Sequence, residues 1–168
     1  MNFRKLVEKA KTSKARLFVL TMLTRRIIPF NRPHKISILS LTDNKIETFL
    51  PYRKRNFNHL KGLHACALAT LAEFSGGFLL LTRLGNLKYR IIMKKLDMEY
   101  YYQGKTAAVG RFSFEDNWLH EKVIKPLETE EKILVNCEVI INDVDGNHLC
   151  TGNTLWQIKK WEKVKTSL

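Results

Sequence analysis

The feature that most limits the fold is the stretch Gly62-Leu63-His64-Ala65-Cys66-Ala67-Leu68-Ala69-Thr70-Leu71-Ala72-Glu73-Phe74-Ser75-Gly76-Gly77-Phe78. Its apolar residues recur on every side of a helix, and a helix without a polar face must be buried on most sides. Its four alanines keep it slim, so neighbouring backbones can come close. A helix over residues 62–80 should therefore run through the middle of the molecule.

The residues around it read mostly as strands. Lys35–Leu41 and Lys45–Leu50 flank Thr42-Asp43-Asn44, whose side chains favour a turn, which predicts a hairpin. Residues 87–102 alternate in polarity, and Gln103-Gly104-Lys105 forms a turn before a strand over Thr106–Phe114. Residues 116–127 suggest a loop with a short helix. Lys132–Asn142 and residues 147–161 are strands joined by Asp145-Gly146, a strong hairpin signal. Residues 3–28 show helical periodicity and end at Pro29 and Pro33. The pattern predicts an α+β chain: an antiparallel sheet wrapped around a long central helix, with a helical extension over residues 1–30. At 168 residues, the whole of 1–168 fits one domain.

Hydrophobic residues make up 45% of the chain, enough for a core and too many for general disorder. The cysteines Cys66, Cys137 and Cys150 are odd in number and widely spaced, which argues against a disulfide framework and for small core residues in a reducing, cytoplasmic setting. The apolar run Phe78–Leu81 is too short to span a membrane. The basic N-terminal stretch before Leu17-Phe18-Val19-Leu20 lacks the cleavage site of a signal peptide, so the expectation is a helix packed on the domain, with a helix lying on a membrane surface as the lesser alternative. A net charge of +13 attracts anions such as nucleic acid, acidic lipid or a phosphate-rich small molecule.

The chemistry-bearing residues lie in and just before the central helix. A glutamate on a helix with no polar face is rare unless paired or functional, and desolvation would push Glu73 towards the range of a general base. Backbone N–H groups near residues 64–66 stand at the positive end of the helix dipole, a geometry suited to an oxyanion. His64 and Glu73 are nine residues apart, about 13–14 Å of rise and about half a turn out of phase. One chain cannot bring both to the same reacting atom, so joint action requires a dimer. The plainer alternatives are a satisfied buried carboxylate at Glu73, a loop or cap amide at Asn58, and a helix cap at His64. Cys66 reads as a packed small residue more readily than as a nucleophile. Tyr100-Tyr101-Tyr102 reads as strand packing. The five histidines show no metal-ligand spacing.

This segment resembles the hotdog-fold thioesterases of the PaaI-like kind, and among them a subgroup of uncharacterised domains of the DUF4442 type. That family has a loop Asn leading into Gly-x-His-Gly-Gly and then Ala-x-Leu-x-Asp along the central helix. The resemblance implies a hotdog fold and acyl thioester hydrolysis at a dimer interface. It implies that Glu73 activates water or attacks the carbonyl, that the backbone N–H of Ala65 holds the oxyanion, and that Asn58 and His64 orient the substrate from the other subunit. Gly62 and Cys66 would line the substrate, and Arg53 and Arg55 could meet the phosphates of coenzyme A. No metal and no cofactor is implied, coenzyme A entering as part of the substrate. Ala65-Cys66 stands where the family has Gly-Gly, and Glu73 where it has Asp. A Ser or Thr position of the family falls near Lys95, and no role is carried there. The expected partners are an acyl-CoA or acyl-carrier thioester and a second copy of the chain, with a tetramer left open; nucleic acid and membrane are disfavoured. The rival readings are a non-catalytic acyl or acyl-CoA binder, an anion-binding module acting on nucleic acid through Arg53, Lys54 and Arg55, and a hotdog dehydratase.

Overall fold

The computed structural model describes residues 3–85 and 88–164. Helices α1 (Phe3–Ala10) and α2 (Lys14–Ile27) are followed by the hairpin β1 (Ser37–Leu41) and β2 (Lys45–Leu50). Helix α3 (Ala65–Leu84) comes next, then β3 (Tyr89–Tyr100), β4 (Ala108–Ser113), a π-helical turn at His120–Ile124, α4 (Pro126–Thr129), β5 (Lys132–Asp143) and β6 (His148–Lys160). All pairings are antiparallel, in one six-stranded sheet of order β1-β2-β4-β5-β6-β3.

Strand β5 shows how sequence sets the sheet. Ile133, Val135, Cys137, Val139 and Ile141 are buried, and the residues between them face outwards. A period of two puts every second side chain on the helix side. Helix α3 packs against β2, β3, β4, β5 and β6. By length and hydropathy alone α3 could cross a bilayer, a property the short run Phe78–Leu81 does not convey; here the sheet covers most of it. Its approach to the sheet is close. A Cβ at Gly77 would lie 2.4 Å from the Trp156 ring, and one at Gly152 would lie 2.6 Å from the Cβ of Ala72. Buried hydroxyls are satisfied at the contact: Ser75 Oγ donates to the Leu71 carbonyl (2.7 Å) and meets Thr48 Oγ1 (2.6 Å).

Several expected boundaries shift. The central helix begins at Ala65 and not 62, because His64 adopts an extended backbone and caps it, and it runs on past 80 to Gly85, whose φ of +75° ends it. The N-terminal helix is two helices, because Ser13 takes an extended backbone and its hydroxyl accepts from the Arg16 N–H as an N-cap. That break lets Leu6, Val7 and Ala10 of α1, and Leu17 and Leu20 of α2, each reach the core. Of the strand expected over 87–102, Leu87 lies outside the described residues, and the strand ends at Tyr100.

Candidate active site

The loop before α3 is built by asparagine side chains. Buried Asn56 donates from Nδ2 to the carbonyls of His34 (3.0 Å) and Pro51 (2.9 Å), and its own carbonyl accepts from the His64 N–H (2.8 Å). The Oδ1 of Asn58 accepts from the N–H groups of Leu60 (2.9 Å) and Gly62 (3.0 Å). This leaves the Asn58 Nδ2 as the side chain's free donor, with no hydrogen bond among the described residues. Gly62 is buried, and a Cβ there would meet the Gln103 side chain at 2.9 Å.

His64 is the N-cap of α3. Its Nδ1 accepts from the Cys66 N–H at 3.0 Å, which requires a lone pair on Nδ1 and places the ring proton on Nε2. Asn58 and His64 thus offer N–H donors and no free acceptor on these groups. The first-turn N–H of Ala65 makes no hydrogen bond among the described residues. Asn58, Ala65, Tyr100, Tyr102 and Gln103 line one groove, with the Tyr100 hydroxyl donating to the Ala65 carbonyl at 3.0 Å.

Glu73 lies two turns further on. Ala65, Ala69, Glu73, Gly77 and Leu81 recur at intervals of four along a stripe of α3 that the sheet leaves partly open. Glu73 is half-buried in a cavity of about 170 Å³ whose walls include Ile28, Phe74, Phe78, Ile91 and Trp156. The carboxylate has no ion pair or hydrogen bond among the described residues. Burial pushes its pKa above the ordinary carboxylate value. Asn31 is the other polar side chain at this cavity with hydrogen-bonding capacity to spare, since the Trp156 Nε1 donates to Thr154 Oγ1 (2.9 Å).

The structure brings Asn58 and Ala65 into one groove and sets Glu73 in another, about 12 Å along the helix from Ala65. Arg53 and Arg55 join neither; they line a third groove with Arg32 and Lys35. Two expectations are corrected. Cys66 is exposed, because it lies on the open side of a first turn whose other side, Ala67 and Leu68, is buried in the core, whereas Cys137 and Cys150 are buried and their thiols are pushed up to about 12. Tyr101 and Tyr102 follow the end of β3 and are more than half exposed; Tyr101 still packs its ring on His148 of β6 (4.7 Å between centroids), whereas Tyr102 is not strand packing and lines the groove beside the helix start. Asn31 and Trp156 carried no signal of a site in the sequence and Gln103 read only as a turn residue, since each sits far along the chain from the helix it faces. The described residues contain no group of three or more His, Cys, Asp or Glu that could hold a metal.

A family model described as a domain of unknown function, DUF4442, matches residues 16–158. A Pseudomonas aeruginosa protein of known structure, described as a probable thioesterase, superposes with a TM-score of 0.76 at 22% identity, covering 83% of this chain and 93% of that one. A thioesterase from Haemophilus influenzae superposes with a TM-score of 0.67 at 13% identity, over 86% of this chain and 90% of its own. A Chlorobaculum tepidum protein of unknown function reaches 0.72 at 13% identity, over 92% and 94%. No curated protein matches the sequence. At these identities the likeness is one of fold, and the fold is the hotdog: an antiparallel sheet curved around a central helix, here with helices preceding it.

Proposed function

The chain belongs to the family described as domain of unknown function DUF4442, and on that footing we propose that it hydrolyses acyl thioesters, with coenzyme A as carrier, at a site completed by a second copy of the chain. The observation that carries this reading is Glu73: a carboxylate without a cation, in an apolar cavity, with its proton affinity raised. A stabilising ion pair would hold that carboxyl low. A base or nucleophile working near neutral pH gains from having it high. The thioesterases among the structural neighbours, named as such, support the choice of substrate class.

Glu73 activates water or attacks the thioester carbonyl. The Ala65 N–H of the other subunit, at the positive end of α3, receives the charge that develops on the carbonyl oxygen. Asn58 Nδ2 and His64 Nε2 donate to the substrate beside it and so orient the thioester; neither can serve as the base in the arrangement they adopt. The 12 Å between Ala65 and Glu73 within one chain is what calls for two copies. Strand β3 supports such an assembly. It is an edge strand of 12 residues with one side unpaired, whereas the opposite edge, β1, has only 5. A long open edge is a template for pairing with another chain.

The test is release of free thiol from short, long and aromatic acyl-CoAs. Turnover should fall by at least about 100-fold in Glu73→Ala and in Glu73→Gln, with the oligomeric state unchanged. A chain that binds acyl-CoA but releases no thiol from any of them would be an acyl binder on the same fold, and thiol release indifferent to Glu73 would remove the proposed mechanism.

A further inference from the structure

Helix α2 has two apolar faces, and the fold uses one. Leu17, Leu20, Thr21 and Thr24 are buried, and Thr21 Oγ1 accepts from the Ile38 N–H (3.1 Å), pinning the helix to β1. On the opposite face Phe18 is 64% exposed, Val19 43% and Met22 46%; Ile27 and Phe30, just beyond, are 62% and 67% exposed. Clustered large apolar side chains in water mark an interaction surface.

The charge around this patch has one sign. Between Glu8 and Asp43 the chain has eight Lys or Arg and no acidic residue. Val19, Met22, Arg26, Arg32 and Lys35 line the same groove, so apolar and cationic groups form one continuous surface. Arg26, Arg32 and Lys35 make no ion pair among the described residues. Arg25 does structural work nearby: its guanidinium donates to the carbonyls of Lys35 (2.7 Å) and Ile36 (2.8 Å), holding Lys35 at a φ of +58°. A left-handed backbone at a non-glycine residue costs energy and persists only where the surroundings enforce it. The clamp fixes the turn that carries Arg32 and Lys35.

We propose that the outer face of α2 and the turn after it form a docking surface for an anionic lipid bilayer. Phe18, Met22 and Phe30 enter the boundary between headgroups and acyl chains, and Arg26, Arg32 and Lys35 lie at the lipid phosphates. A helix that presents apolar groups flanked by cations suits this interface. The chemistry excludes two simpler occupants. A second copy docked through the same face would set these cations against their own counterparts. A nucleic acid backbone would use the cations but leave Val19, Met22 and Ile27 in water.

The test is flotation of the full chain with vesicles of phosphatidylcholine alone, and of phosphatidylcholine with about 30 mol% phosphatidylglycerol. The chain should float with the anionic vesicles and not with the neutral ones. Partitioning should drop by at least about tenfold in Arg26→Glu/Arg32→Glu, and by a similar factor in Phe18→Ser/Met22→Ser. Melting temperature should stay unchanged in both, since all four side chains are exposed. The proposal is overturned if the parent does not float with anionic vesicles, or if Phe18→Ser/Met22→Ser floats as well as the parent. Binding of a single-stranded oligonucleotide that matches the vesicle affinity and ignores the Phe18→Ser/Met22→Ser change would assign the surface to nucleic acid instead. Dissociation of an oligomer by that same variant would assign it to a second copy.

Discussion

A carboxylate that is desolvated and has no cation beside it links its proton to the folded state. Desolvation penalises the ionised Glu73, so the folded chain keeps this proton to higher pH than the unfolded chain does. The sign follows from linkage. The group favours folding most below its unfolded pKa of about 4.3, and stability falls as pH rises through the window up to the higher folded value. Glu73→Gln should therefore melt above the parent at neutral pH, by less than about 1 kcal/mol because the group is partly solvated, with the difference closing near pH 4. Differential scanning calorimetry at the two pH values checks this. Turnover should carry the same signature, with an acid limb in kcat above the ordinary carboxylate range; a limb at the ordinary value would contradict the role given to Glu73. Ala65 offers a second test at this scale. It is the first helical residue, where proline is tolerated, and His64 before it has φ −72° and ψ 139°, the conformation a following proline prefers. Ala65→Pro should fold normally and lose the oxyanion donor, lowering kcat by about 100- to 1000-fold. Glu73 was legible in the sequence because a carboxylate on an all-apolar helix stands out. Cys66 was not: flanked by Ala65 and Ala67 on an apolar helix it reads as a core residue, and only the folded chain shows that its side of the first turn of α3 is left open while Ala67 and Leu68 are buried.

At the scale of elements, α3 can lie at the centre because its small residues face large ones on the sheet. Gly77 is the sharpest case. Adding one methyl there places it 2.4 Å from Trp156, so Gly77→Ala should cost about 1–3 kcal/mol in chemical denaturation despite the better helix propensity of alanine. Gly77→Ala/Trp156→Leu should recover part of that loss, since the two changes share one contact. The strands were legible because antiparallel strands alternate in polarity, and the turn at Asp145-Gly146 announced itself. Its anchor did not. Asp143 accepts from the N–H groups of Asp145 (3.1 Å) and Asn147 (2.8 Å), a role that an Asp at the end of an apolar strand does not reveal in advance. The break between α1 and α2 was hidden for a similar reason. Apolar periodicity continues across Lys11-Thr12-Ser13 and only the cap at Ser13 interrupts it.

For the whole molecule, a site divided between the start and the middle of one helix has a consequence that no single chain can test. Each proposed site takes Glu73 from one copy and the Ala65 N–H from the other, across an assembly that the open edge of β3 makes available. The sequence carried this requirement in the nine-residue spacing of His64 and Glu73, because helical rise is fixed. It did not carry the separate groove that holds Arg53 and Arg55, because segments remote along the chain converge there. The central claim is tested most directly by mixing Ala65→Pro and Glu73→Ala subunits, each inactive alone, through co-expression with two different affinity tags and isolation of the mixed dimer. If the site is shared, one of its two sites holds an intact Glu73 and an intact Ala65 N–H, and thiol release from acyl-CoA returns to about half the parental rate per dimer. If both groups act within one chain, every site in the mixed dimer carries a lesion, and the absence of any recovered turnover would contradict the account.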